Sequence, residues 1–173
     1  MSEDPAGALR LLLEGNERFI SGQRLHPNQD ADRRTAVAPA QRPFAVLFGC
    51  ADSRLAAELI FDRGLGDLFV VRTAGHVVGP EVLGSIEYAV ATTPSGYIRD
   101  VVERVMLSVL AARDRAVADP EAAVTEHIRY TVELLATRSA VIAERVADGR
   151  CGVVGLSYRL AEGSVRRIVG HGV

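Results

Sequence analysis

The sequence of 173 residues has no lysine, no tryptophan and only two cysteines, Cys50 and Cys151. Two cysteines are too few for a disulfide scaffold or a four-cysteine zinc site, so any zinc would also need histidine or carboxylate ligands. The net charge of −2 gives no basic surface, and we expect no nucleic-acid partner. No apolar run approaches the roughly 18–20 residues of a membrane span, and Met1–Pro5 does not resemble a signal peptide. We therefore expect a cytoplasmic protein without a membrane partner.

The residues that are present suffice for a folded core. Hydrophobic residues make up 48% of the chain, and its length fits one domain, so we predict a single domain over residues 1–173. Leucine and isoleucine recur at helical spacing from about Pro5 to Ser21, with charged residues between them. Residues 1–22 are therefore predicted to form an N-terminal helical arm. The polar residues 22–43 are predicted to form a loop with a short helical turn.

Two short apolar runs predict strands that are buried on both faces. They occupy residues 44–48 and 68–71, and a predicted helix follows each, at 55–62 and at 80–91. Strands and helices that alternate in this way are typical of an α/β fold with a parallel sheet.

The alternation stops after Ala91. A predicted turn at 92–96 leads into helices at 98–110 and at about 120–147, and strands resume only at 152–158 and 165–169. An α/β domain of this kind usually has a strand between the helix at 80–91 and the long helices. One central strand is therefore missing from the pattern.

Chemically active residues follow the first two predicted strands, at the sheet edge where open α/β sheets bind ligands. A Cys50 thiolate suits zinc, Asp52 can act as a ligand, proton acceptor or helix cap, and Arg54 can hold the Asp52 carboxylate. The alternative is a buried cysteine followed by a helix cap and a surface arginine. His76 is a second candidate ligand, with an idle loop histidine as its alternative. Cys151 has no neighbouring histidine or cysteine and is interpreted as a structural thiol.

A nucleophilic thiol at Cys50 is a different chemical class. Phosphatases of the Cys-x5-Arg type cradle phosphate in a loop between a strand and a helix. Three residues separate Cys50 from Arg54, however, and this loop contains no glycine. The spacing therefore disfavours a phosphatase.

Several motifs resemble the β-class carbonic anhydrases and occur in the order of that family. They are Gly-Cys-Ala-Asp-Ser-Arg at 49–54, Arg-Thr-Ala-Gly at 72–75, Gly-Ser-Ile-Glu-Tyr-Ala-Val at 84–90 and Gly-Asn-Glu-Arg-Phe at 15–19. Residues 96–104 and 153–158 are similar to bacterial members, so the resemblance extends over nearly the whole chain. It implies an α/β domain with a parallel sheet and helical arms. It also implies zinc, reversible hydration of carbon dioxide to bicarbonate, and a homodimer or larger homo-oligomer.

The resemblance also implies roles for individual residues. Cys50 corresponds to a zinc ligand. Asp52 and Arg54 correspond to a carboxylate–guanidinium dyad, in which the carboxylate accepts a hydrogen bond from zinc-bound water or binds zinc itself. Gly75 and Tyr88 correspond to positions near the substrate pocket, which in the family lies at a dimer interface.

One departure from the family affects the metal site. The family takes its other two zinc ligands from a His-x-x-Cys motif, at the end of a strand that follows the Tyr88 helix, and this sequence contains no such motif. A strand, the motif and part of a helix are therefore missing after Ala91. Two interpretations stay open. Either a natural deletion leaves a pseudoenzyme that serves as an oligomeric binding protein, or the sequence as written omits a segment of an ordinary enzyme.

Overall fold

The chain falls into two compact units in a computed structural model that describes residues 5–90, 97–114, 120–159, 161–162 and 164–173. The units comprise Met1–Val101 and Val102–Val173. The prediction that residues 1–173 act as a single domain stays a prediction. Within the described ranges, every helix is too short or too polar to cross a membrane.

The N-terminal arm contains the predicted amphipathic helix, α1 (Pro5–Ile20). It packs on the short helix α3 (Ala57–Ile60) at Gly15, where a Cβ atom would lie only 1.8 Å from the Phe61 carbonyl oxygen. The Asn16 amide donates a hydrogen bond to the Ile60 carbonyl at 3.1 Å. Glycine is therefore required at position 15 because α1 approaches the backbone that follows α3.

The short helical turn predicted within residues 22–43 is α2 (Ala31–Val37). Asp30 caps its first turn, and the Asp30 carboxylate accepts a hydrogen bond from the Arg33 backbone N–H at 2.7 Å.

Asp62 ties the loop after α1 to the end of α3. It is 2% exposed, and its carboxylate accepts hydrogen bonds from Arg18 Nε at 2.6 Å and from the backbone N–H groups of Leu25 and His26, each at 3.0 Å. Burial alone raises the pKa of Asp62, but these hydrogen bonds outweigh burial and lower the pKa from 3.8 to about 2. The buried group is therefore a carboxylate that three donors satisfy, one guanidinium N–H and two backbone N–H groups.

Asp67 holds the same loop at a second point. Its carboxylate accepts hydrogen bonds from the Asn28 amide at 2.9 Å, from Arg33 Nη2 at 3.1 Å and from the Gly64 backbone N–H at 3.0 Å. Two buried carboxylates thus order a stretch that has little regular secondary structure.

The first sheet is a parallel pair of strands, β1 (Ala45–Cys50) and β2 (Leu68–Thr73), which confirms both predicted strands. The register runs from Ala45 opposite Leu68 to Cys50 opposite Thr73, so both strands end at the same edge. α3 is shorter than the predicted helix at 55–62, because Ala56 is extended and the chain leaves the helical conformation at Phe61. After β2, a 3-10 turn at Ala74–His76 leads into α4 (Pro80–Val90).

Next comes α5 (Ile98–Asp114), which extends beyond the predicted helix at 98–110. The second unit contains α6 (Pro120–Arg138), α7 (Ala140–Ala147) and an antiparallel pair, β3 (Val153–Arg159) and β4 (Ser164–His171).

The prediction of one helix over 120–147 is wrong, because the helix is interrupted at Ser139. The Ser139 hydroxyl accepts a hydrogen bond from the Ile142 backbone N–H at 3.3 Å and so caps a new helix. α6 packs closely on β3, since a Cβ at Gly155 would meet Ile128 Cγ2 at 2.5 Å and Val132 Cγ2 at 3.0 Å.

Within the part of the chain that the structure describes, β1–β2 and β3–β4 are separate two-stranded sheets. The predicted turn at 92–96 lies outside the described residues. The prediction that β1 and β2 are buried on both faces is wrong, because all twelve of their residues keep at least partial exposure. The α/β class is confirmed.

Candidate functional site

The carboxyl end of β1 leads directly into a turn that carries the predicted site residues. Cys50 is the last residue of β1 and lies opposite Thr73 of β2. The Ala51 backbone N–H donates a hydrogen bond to the Thr73 carbonyl at 2.9 Å, which continues the strand pairing by one residue. The Arg54 backbone N–H then donates to Asp52 Oδ1 at 2.9 Å, and this bond closes the turn.

Asp52 and Arg54 form the predicted carboxylate–guanidinium pair. Arg54 Nε donates to Asp52 Oδ1 at 2.9 Å and Arg54 Nη2 donates to Asp52 Oδ2 at 2.7 Å, so the contact is bidentate. The side-chain hydrogen bond from Arg54, its backbone N–H and the charge of Arg72 lower the pKa of Asp52 from 3.8 to about 2. The bond to Asp52 also raises the pKa of Arg54. Both carboxylate oxygens of Asp52 are therefore engaged by one guanidinium.

Arg72 reaches this turn from the neighbouring strand. It lies opposite Gly49, and its Nε donates to the Cys50 carbonyl oxygen at 2.8 Å while its Nη2 donates to the Asp52 carbonyl oxygen. Arg72 is the first residue of the Arg-Thr-Ala-Gly motif at 72–75, and the sequence alone indicates no role for it. Only the strand register could have pointed to this contact.

Gly75 and His76 lie in the 3-10 turn after β2, at the same edge as Cys50. Gly75 has a φ of +63°, which suits glycine, and nothing would obstruct a Cβ there. The His76 ring meets the Phe48 ring edge-on, with 6.1 Å between ring centroids. The turn therefore leaves open space at Gly75, while its histidine packs on β1.

Tyr88 lies on α4 and contacts other residues than the Cys50 turn. Its hydroxyl accepts a hydrogen bond from Gln41 Nε2 at 3.3 Å, and its ring centroid is 6.1 Å from that of Phe69 in β2. The assignments of Tyr88 and Gly75 to a substrate pocket stay predictions.

The residues present do not fit a catalytic zinc site. Such sites use three protein ligands and leave one position for water. Among the described residues, no three histidine, cysteine or acidic side chains are grouped so that they could hold a metal ion. Cys50 is a free thiol, the Asp52 carboxylate is paired with Arg54, and the other free thiol, Cys151, precedes β3 in the second unit.

Comparison with known proteins assigns the class of protein. A family model described as carbonic anhydrase matches residues 45–99. The chain is 46% identical over 188 aligned positions to carbonic anhydrase 2 of Mycobacterium tuberculosis, covering 92% of this chain and 91% of the relative. It is 43% identical over 192 positions to the carbonic anhydrase of Mycolicibacterium smegmatis, covering 95% and 93%. The chain therefore belongs to the β-carbonic anhydrase family.

Two solved structures are also similar to the chain. A tetrameric β-carbonic anhydrase of Sordaria macrospora aligns with a TM-score of 0.48 and 18% identity, covering 94% of this chain and 98% of that one. A Coccomyxa β-carbonic anhydrase in complex with acetazolamide aligns with a TM-score of 0.44 and 19% identity, covering 92% and 86%.

The alignments with the two bacterial relatives contain gaps in this chain. The first spans 188 positions, whereas 92% of 173 residues is about 159, so about 29 positions have no residue of this chain opposite them. The second spans 192 positions against about 164 residues, which leaves about 28. Both relatives thus carry a similar number of residues that this chain lacks.

Proposed function

We propose that this 173-residue chain is a member of the β-carbonic anhydrase family that does not itself hydrate carbon dioxide. It keeps the carboxylate–guanidinium pair of Asp52 and Arg54 and one thiol, Cys50, but lacks a complete zinc ligand set. The absence of any His-x-x-Cys motif from the sequence carries this proposal. The lack of a three-ligand group among the described residues supports it.

The remaining residues lack a source of hydroxide. Zinc supplies that nucleophile by lowering the pKa of bound water towards 7. A carboxylate whose pKa is about 2 is too weak a base to deprotonate water at neutral pH, and both oxygens of Asp52 already accept hydrogen bonds from Arg54. The pair can orient a water molecule or a small anion, but it cannot replace the metal.

We place the missing residues after Ala91. The strand–helix alternation stops there, and the described strands form two separate pairs. Strands are usually about 5–6 residues long, so a loss of about 29 positions is enough for a strand, a ligand motif and part of a helix. One internal loss therefore accounts for both the break in the strand–helix alternation and the absent ligands.

Zinc content and hydration rate test the proposal together. The purified full chain is incubated with zinc and desalted, its metal content is measured, and carbon dioxide hydration is followed by stopped flow. We expect much less than one zinc per chain and the uncatalysed rate, with no difference between Cys50→Ser and the control Cys151→Ser. One zinc per chain with catalysed hydration, both abolished by Cys50→Ser alone, would show that a complete site exists.

The intact mass of the protein from its natural source separates the two origins of the gap. A natural deletion predicts the 18.5 kDa of this chain and a coding sequence that is continuous across Ala91–Thr92. An omitted segment predicts a protein that is heavier by the missing residues, and that longer protein would be an ordinary carbonic anhydrase.

An oligomeric binding role is the second candidate, and exposed apolar side chains favour it. Tyr88 and Val90 of α4 are 53% and 68% exposed, and Leu9, Leu13 and Ile20 of α1 are more than half exposed. Such surface is typical of contacts between chains. Sedimentation should show a dimer or larger homo-oligomer that Tyr88→Ser weakens and the exposed control Asp32→Asn does not. A monomer at high concentration would contradict this role.

A further inference from the structure

The turn that carries Cys50 and Asp52 receives two different arginines. Arg54 belongs to the turn and binds the Asp52 side chain. Arg72 belongs to β2, and among the described residues its guanidinium donates to the carbonyl oxygens of Cys50 and Asp52. The two guanidinium groups therefore do not compete for the same acceptors, and each holds a different part of the turn.

We propose that Arg72 is the positioning residue that fixes the Cys50–Asp52 turn against the end of β2. Two N–H groups of one planar guanidinium, here called the fork, donate to carbonyl oxygens of residues 50 and 52. A lysine ammonium cannot make both contacts with the same geometry. The thiol of Cys50 and the carboxylate of Asp52 take their relative position from the backbone between them. Arg72 acts on both groups through that backbone.

The strand register places Arg72 beside the start of the Cys50–Asp52 turn. Arg72 pairs with Gly49, the residue before Cys50, and the strand pairing continues through Thr73 to Ala51. The sheet thus fixes the Cα atom of Arg72 beside Gly49, the residue that precedes Cys50. A residue anchored in this way stabilises the turn without any contribution from a metal ion.

Hydrogen exchange of the backbone amides at 51–55 tests this role in the full chain. In Arg72→Ala and in Arg72→Lys, which keeps the charge but not the fork, we expect these amides to exchange about tenfold faster. Amides of β4, in the other unit, serve as the internal reference and should not change. The control Arg54→Ala should have a smaller effect, because it leaves both backbone contacts of Arg72 in place.

The outcomes distinguish the two hydrogen bonds of the Arg72 fork from the effect of its charge and from a general loss of stability. Unchanged exchange in Arg72→Ala would overturn the proposal, and so would normal exchange in Arg72→Lys, because charge alone would then suffice. Equal acceleration by Arg54→Ala would transfer the role to the side-chain pair. If Arg72→Ala opens β1 and β2 entirely, Arg72→Lys decides: acceleration confined to 51–55 supports the fork.

Cysteine alkylation gives a second measurement, in which Asp62→Asn controls for a loss of stability of the first unit. The rate at which iodoacetamide modifies Cys50 is divided by its rate at Cys151 in the same molecule. We expect this ratio to rise about tenfold in both Arg72 variants. Asp62→Asn weakens the same unit away from the turn and should raise the ratio less than the Arg72 variants do, and an equal rise there would overturn the proposal. Neither measurement depends on hydration activity, so this inference and the proposed function fail separately.

Discussion

Replacement of Asp62 by asparagine should remove a pH-dependent part of the stability of the first unit. The Asp62 carboxylate is 1% exposed and accepts hydrogen bonds from Arg18, Leu25 and His26. Asparagine keeps the shape but loses the charge, and its NH2 group cannot accept a hydrogen bond. At least one of the three donors is then left without its partner, because the amide has a single acceptor oxygen.

The pKa of Asp62 sets the size and the pH range of this effect. The pKa falls from 3.8 to about 2 in the folded chain, and each unit corresponds to about 1.4 kcal/mol. The ionised group therefore contributes about 2 kcal/mol of stability at neutral pH. Because the folded-state pKa is the lower one, this contribution is complete well above pH 3.8 and is lost as the pH falls from 3.8 towards 2. With the unpaired donors added, Asp62→Asn should cost about 3 kcal/mol at pH 7.

Urea unfolding followed by far-UV circular dichroism between pH 7 and pH 2.5 measures this contribution. We expect the unmodified chain and Asp62→Asn to differ most at pH 7 and to converge as the pH falls below 4. The control is Asp32→Asn, an exposed carboxylate on α2 of the same unit, which should match the unmodified chain throughout. A stability difference for Asp62→Asn that stays constant from pH 7 to pH 2.5 would refute the reasoning, because the lost interaction would then not be that of a charge.

Two further substitutions test the packing of the helices. Gly15→Ala should lower the free energy of unfolding by more than about 2 kcal/mol, because the added Cβ would overlap the Phe61 carbonyl. Urea unfolding followed by circular dichroism measures the loss, and unchanged stability would show that α1 does not pack at Gly15. Ser139→Ala should cost about 1 kcal/mol through loss of the α7 cap, while Ser139→Asp, which keeps an acceptor, should restore most of it in the same thermal unfolding measurement.

Local patterns predicted the parts of the fold that depend on near neighbours. Both apolar runs are strands, and α1 begins and ends within one residue of the expected bounds. The Asp52–Arg54 pair was also predictable, because two residues of one turn come together whatever surrounds them. The break at Ser139 was not, since Leu135 and Ile142 continue the apolar spacing of a helix across it. A serine hydroxyl that caps a new helix leaves that spacing intact.

The features that could not be predicted from the sequence depend on contacts between segments that are distant along the chain. Arg72 reaches the Cys50 turn only because Gly49 pairs with it in the strand register, and an apolar run does not specify a register by itself. Asp62 is buried because a loop 36 or 37 residues earlier donates two backbone N–H groups to it. Nothing in the composition of residues 22–30 indicates that they do so. The positioning residue and the buried carboxylate were therefore found only in the structure.

The predicted site residues that this chain carries lie in a part of the fold that needs no further strand. Cys50, Asp52 and Arg54 belong to one turn, and that turn is bonded to β2, the strand already paired with β1. The ligands that the family resemblance places elsewhere would come from the end of a further strand, and a loss of about 29 positions removes such a strand and its motif together. Under the proposed internal loss, the β1–β2 turn stays ordered and its metal chemistry is absent. The exchange experiment on Arg72 should therefore show an ordered turn, and the zinc experiment on the same protein should show much less than one zinc per chain.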